Sequence, residues 1–168
     1  MIRDKLVARP WRPAALLLLL LSSALISPAA LAQFEVHGGV SVTTGGEATS
    51  VVAAAWVPEW RRFEYATLRA EVGAMYFDGR HVRGDRDLNE GVTVGYLGAR
   101  LEFDRGWLLG FGVGGQSGYT DALSGSPQFV SSAGWRHDRF SLIVRHVSNA
   151  RLHEPNGGET MLLAGWRF

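Results

Sequence analysis

His146 and Ser148 stand two positions apart at the end of a segment, Phe140 to Ser148, that alternates apolar and polar residues. In an extended chain, residues i and i+2 project to the same side, about 6.5 to 7 Å apart at the backbone, a span that an imidazole nitrogen and a serine oxygen can bridge. An imidazole that accepts the serine proton turns the hydroxyl into a nucleophile toward an ester. An acid on the far ring nitrogen fixes the tautomer that leaves the near nitrogen free to do so. Glu159, just after the Gly157-Gly158 pair, is the acid that a return strand would bring back beside His146. Such chemistry requires no metal and no cofactor. Taken alone, a His-x-Ser pair reads as well as two polar residues at a strand rim, bonded to water or to lipid headgroups.

The remaining candidates are weaker. His37 has inward parity on a strand, where a histidine serves a hydrogen-bond network, while His81 and His137 fall in a loop and a turn where solvated histidine is usual. His153, next to Glu154, lies in the loop between Ser148 and Glu159 and is near enough to touch a substrate. Asp85 and Asp87 alternate with Arg83 and Arg86, a pattern of a solvated loop more than of a cation site. Gly112 and Gly114 are spaced for strand packing; a phosphate loop would need a helix after them. Cysteine is absent, which excludes disulfides and thiolate zinc sites.

These residues need elements to position them, and the chain supplies strands. Residues 1–32 read as a signal peptide: Arg3, Lys5, Arg9 and Arg12 against the single acid Asp4, an apolar run from Ala14 to Ile26, and Ala30-Leu31-Ala32 before Gln33. An uncleaved anchor is the alternative, but the run is shorter than the roughly 20 residues a spanning helix needs. Removing the four cations and one acid of this segment takes the 17 basic and 16 acidic residues to 13 and 15, a net charge of −2 for residues 33–168. That balance carries no nucleic-acid footprint. Every remaining cation is arginine, whose planar fork suits phosphate and carboxylate partners.

Residues 33–168 show period-two alternation in eight segments: Phe34 to Thr43, Thr49 to Val57, Glu64 to Phe77, Val92 to Phe103, Trp107 to Gly115, Gln128 to Trp135, Phe140 to Ser148 and Glu159 to Phe168. Segments of this length, separated by turn signals, predict an all-β fold, an eight-stranded antiparallel transmembrane β-barrel of the outer-membrane type. Arg69, Glu71, Arg100 and Glu102 share one parity, opposite Leu68, Val72, Leu101 and Phe103, and predict a charged network inside a closed lumen. Connections alternate in length. Asp104 to Gly106 and Arg136 to Asp138 are tight, Asp78 to Gly91, Gln116 to Pro127 and Asn149 to Gly158 are long, and Thr44 to Ala48 and Pro58 to Phe63 are intermediate. Long loops on the outside put both termini in the periplasm and His146 with Ser148 at the extracellular end. A soluble lipocalin-like or sandwich domain alternates too. The aromatic C-terminal residue, Phe168, in a face with Leu162, Ala164 and Trp166, favours a membrane barrel that engages the outer-membrane assembly machinery.

The segment His146-Val147-Ser148-Asn149-Ala150, followed by Pro155-Asn156-Gly157-Gly158-Glu159 and a strand ending Trp166-Arg167-Phe168, resembles the C-terminal signature of the PagL family of outer-membrane lipid A 3-O-deacylases. The resemblance implies hydrolysis of the ester at position 3 of lipid A in the outer leaflet, with His146 as base, Ser148 as nucleophile, Glu159 as orienting acid and Asn149 helping to hold the oxyanion. It leaves open a homodimer. Strand parity counted back from Phe168 conflicts with one of these roles, since it puts Glu159 with Met161, Leu163 and Arg167 on the lumen side; a bulge at Gly157-Gly158 would remove the conflict. Outside the enzyme class, the same sequence fits a non-catalytic barrel that only displays loops, and within it an outer-membrane phospholipase.

Overall fold

A computed structural model describes residues 33–82 and 84–168; the signal-peptide segment at 1–32 lies outside the described residues. Nine strands form: β1 (Phe34–Thr43), β2 (Ala48–Trp56), β3 (Glu59–Arg62), β4 (Ala66–Phe77), β5 (Val92–Phe103), β6 (Trp107–Ser117), β7 (Gln128–His137), β8 (Phe140–Ser148) and β9 (Glu159–Arg167). Chain neighbours pair antiparallel except β2 with β3, β1 pairs with β9, and β2 with β4, so the sheet closes on itself. The staves number eight because β2 and β3 lie end to end along β4.

That last point corrects the reading of Pro58 to Phe63 as a connection. Pro58 has no N–H to donate, which breaks the ladder between β2 and β3, yet its carbonyl still accepts from the Ala70 amide at 3.0 Å. The register slips between Glu59 and Arg61 and the strand resumes. What remains is a tight turn closed by Phe63 N–H to the Ala66 carbonyl at 2.8 Å. Short turns therefore occupy one end of the barrel without exception among the described residues, and β1 starts and β9 finishes there. The longer loops, 44–47, 78–91, 118–127 and 149–158, share the other end.

Burial follows the alternation. Outside, Val36, Val40, Val52, Val72, Leu97, Leu109, Phe111, Leu142, Val144 and Leu162 form an exposed apolar band, and Trp56, Trp60, Tyr65, Trp107, Trp135, Phe140, Trp166 and Phe168 form an aromatic girdle at the short-turn end. Inside, the lumen is filled in two layers. The half nearer the short turns is ionic. Arg100 donates to Glu71 through Nε at 3.0 Å and to Glu35 through Nη1 at 2.8 Å, Arg69 Nε meets Glu102 at 2.6 Å, and Arg167 reaches Glu102 at 2.6 Å. The half under the long loops is apolar, built from Val51, Met75, Phe77, Val92, Val94, Val130, Val147 and Met161, and is capped by Leu88 and Leu123 from the loops themselves. His37 points inward as its parity requires but joins no hydrogen-bond network: neither ring nitrogen makes a hydrogen bond, Nε2 lies 3.4 Å from Glu35 Oε2, and the ring packs where a Cβ on Gly165 would lie 2.1 Å from it.

Candidate active site

Arg145 sets the orientation of everything near the end of β8. Its side chain is buried in the lumen, donating to Ser132 Oγ at 2.9 Å, Tyr96 Oη at 2.6 Å and Glu71 Oε1 at 2.7 Å. Ser141, Ile143 and Val147 point inward with it. The pleat then forces Phe140, Leu142, Val144, His146 and Ser148 to the outer wall. His146 and Ser148 are partly exposed there, at the long-loop end, directly above the apolar band.

The two side chains line one open cavity of about 330 Å³, together with Thr44, Ala150, Arg151, Asn156, Gly157 and Gly158. A larger hollow of about 560 Å³ lies at the opposite end of the barrel, among Tyr65, Phe103, Asp104, Arg105 and Trp107, but brings no nucleophile next to a base. Chemistry, and not size, marks the first as the candidate. Among the described residues no hydrogen bond joins His146 to Ser148; serine and base in unliganded sites are often looser than in the complex. Gly158 forms part of the wall with φ at +61°, a backbone state that disfavours a side chain, and a Cβ there would lie 2.9 Å from His146 Cε1. The imidazole can sit where it does because that position is glycine.

The loop that carries the far wall is held from three sides. Asn149 is fully buried, accepting from the Arg151 amide through Oδ1 at 3.0 Å and donating through Nδ2 to Ser124 Oγ at 3.2 Å and the His153 carbonyl at 2.9 Å. Both amide hydrogens, which a role in holding an oxyanion would need, are occupied within the loop. Ala150 and Arg151 adopt left-handed φ values of 54° and 64° to complete this turn. Gly157 N–H donates to the Asp121 carbonyl at 3.0 Å, and Gly158 N–H to that of Ala122 at 2.9 Å, so the 118–127 loop fixes the wall from above. His153 contributes to the same bracing, its Nε2 lying 2.9 Å from the Ser126 carbonyl.

Glu159 does not join His146. The register Val147↔Glu159 and His146↔Thr160 runs without a bulge, so regular alternation holds and the carboxylate enters the lumen. There Arg80 Nη2 donates to its Oε1 at 2.6 Å and Ser41 Oγ to its Oε2 at 2.5 Å. The partner of His146 is Thr160, whose Oγ1 lies 2.9 Å from Nδ1. Sequence reasoning gave no role to Thr160, although the same parity count that turned Glu159 inward turned Thr160 outward. It also gave none to Asn156, which lines the cavity and whose Oδ1 is buried without a hydrogen-bond partner.

The sequence matches no family model and no curated protein. Among solved structures the chain is similar to one described as the crystal structure of the outer membrane enzyme PagL, at 21% identity, over 80% of this chain and 99% of that one, with a TM-score of 0.55. At that identity the match speaks for architecture: the chain has the closed eight-stave, outer-membrane barrel fold of the enzyme PagL.

Proposed function

We propose that this protein is a lipid A 3-O-deacylase, a serine esterase in which Ser148 attacks the ester carbonyl and His146 accepts its proton. One observation carries the reading: a histidine and a serine share a cavity on the outer wall of the barrel, at the long-loop end above the exposed apolar band. A site in that position takes a lipid that diffuses laterally along the membrane. Exposed Val144 and Leu162 below it offer acyl chains an apolar track. Arg151 in the cavity wall offers a phosphorylated sugar a planar, bidentate donor.

In the first step the Ser148 Oγ to carbonyl carbon bond forms as the proton moves to His146. The tetrahedral intermediate then collapses, the ester C–O bond breaks, and the sugar hydroxyl leaves with the proton from the imidazole. Water, deprotonated by the same nitrogen, hydrolyses the acyl-serine and releases a 3-hydroxy fatty acid. The oxyanion needs a donor, and Asn156 is the amide placed for it. The residue lines the cavity wall, and its Oδ1 takes part in no hydrogen bond.

The test is mass spectrometry of lipid A and phospholipids from cells expressing the wild type or Ser148→Ala. Loss of one 3-hydroxyacyl mass from lipid A with the wild type, and not with the variant, is the expected result. Unchanged lipid A with fatty acid released from glycerophospholipid would make it a phospholipase, and no change in either would make it a non-catalytic barrel.

A further inference from the structure

The cross-strand pair His146↔Thr160 lies on the outer face, and Thr160 Oγ1 is 2.9 Å from His146 Nδ1. The neighbouring carboxylate is held away from this pair by two independent restraints. Glu159 is buried on the inner face, and its oxygens are engaged by Arg80 at 2.6 Å and Ser41 at 2.5 Å. Carrying it to the outer face would reverse the pleat of β9 against both β8 and β1, and would leave Arg80 without its counter-charge.

We infer that Thr160, and not a carboxylate, is the positioning residue for His146, so that a neutral hydroxyl completes a serine, histidine, threonine arrangement. The inference rests on the hydrolase reading above. A threonine oxygen that accepts from Nδ1–H holds the tautomer whose Nε2 lone pair is free for the serine proton. It adds no negative charge beside the imidazolium formed during attack. Thr160 thus orients the base, while Glu159 with Arg80 and Ser41 ties the start of β9 to the loop after β4 and to β1.

The experiment measures kcat and KM for ester hydrolysis of purified lipid A by the refolded full-length barrel, with heat-modifiable migration as the check of folding. Thr160→Val keeps a β-branched residue on the strand and removes only the hydroxyl. Its kcat should fall about 100-fold with KM unchanged, less than the order of 10⁴ that accompanies loss of a charged orienting partner. Thr160→Ser should restore most of the rate, a rescue that a packing role for the methyl group would not give. Glu159→Gln should lose less kcat than Thr160→Val and should show its effect in the heat needed to unfold the barrel. Wild-type kcat in folded Thr160→Val, or a loss in folded Glu159→Gln as great as in Thr160→Val, overturns the inference and returns the role to the carboxylate. Should Thr160→Val fail to fold, Thr160→Ala is read by the same criteria. Hydrolysis that survives Ser148→Ala sinks the parent reading instead, and is recognised separately because it does not depend on position 160.

Discussion

Arg145 and His146 are adjacent in sequence and face opposite sides of the same wall. Inside, the arginine has three named acceptors within 2.9 Å and no access to solvent. Outside, the histidine has one hydrogen bond, to Thr160, and an open cavity beside it. The difference separates polar groups that specify the barrel from polar groups that are free to act on something else. A lumen arginine whose partners are all protein stabilises and orients; a rim imidazole with an unoccupied nitrogen can exchange a proton with a substrate.

The largest effect that would break this comparison falls on Ser148. Ser148→Ala should reduce kcat on the order of 10⁶-fold, as loss of a serine nucleophile does elsewhere, while the barrel migrates and unfolds as the wild type does. A variant equally inactive and unfolded would mean that the rim residue belongs to the structural set. Arg100 supplies the converse case. Its guanidinium is wholly buried against Glu71 and Glu35, so Arg100→Met removes the cation the two share and leaves Glu71 to Arg145 and Glu35 to Arg136 and Arg167. Breaking such a pair costs about 3 to 5 kcal/mol. The unfolding free energy should fall by no more than that amount, and specific activity per folded barrel should be retained.

Much of this division is legible from alternation alone. The parity that sends Arg69, Glu71, Arg100 and Glu102 inward also sends His146 and Ser148 outward, because a closed strand has only two faces and the composition of each fixes which meets lipid. The resemblance in the C-terminal segment pointed to Glu159 as an orienting acid, whereas alternation pointed inward; the structure follows alternation, and Arg80 from a distant loop is what anchors the carboxylate. That anchor has no local signature. Asn149 was beyond parity altogether, since its burial depends on left-handed turns at Ala150 and Arg151, neither of them glycine, and on Ser124 in another loop. Pro58 misled in the other direction: proline marks a break in donor pairing, but a strand whose acceptor side continues can resume after it.

The two asparagines of the site sharpen the same contrast with a smaller effect. Asn156 lines the cavity with an unpartnered oxygen, and Asn149 is saturated below it. Asn156→Ala should lower kcat by about 10²-fold to 10³-fold with stability unchanged, the usual value of one oxyanion donor. Asn149→Ala should act on the loop instead, raising protease sensitivity across 149–158. A kinetic loss in Asn149→Ala as deep as in Asn156→Ala, with the 149–158 loop intact, would give Asn149 a share in the oxyanion.

The smallest effect is expected where a charged pair sits at the long-loop rim, outside both sets. Glu47 receives hydrogen bonds from Thr43 Oγ1 and, at 2.7 Å, from Arg86, which also lies against Gly157 at the edge of the cavity. The Thr43 hydroxyl first and the residue's own amide next hold the Glu47 carboxyl below its ordinary value of 4.5; desolvation opposes them, and Arg86 adds its charge and hydrogen bond on the lowering side. A carboxyl depressed in the folded state contributes stability above its unfolded value and loses it as pH falls through the folded one. The clamp between Glu47 and Arg86 therefore holds at neutral pH and opens only on acidification below the usual carboxylate range. Limited proteolysis of the 84–91 loop should be slow at neutral pH and faster on acidification below the usual carboxylate range, with Glu47→Gln removing most of that difference. Because the pair is partly exposed to solvent, deacylation by Glu47→Gln at neutral pH should stay within about twofold of wild type. A loss as deep as that of Asn156→Ala would place this rim clamp among the groups that hold the substrate.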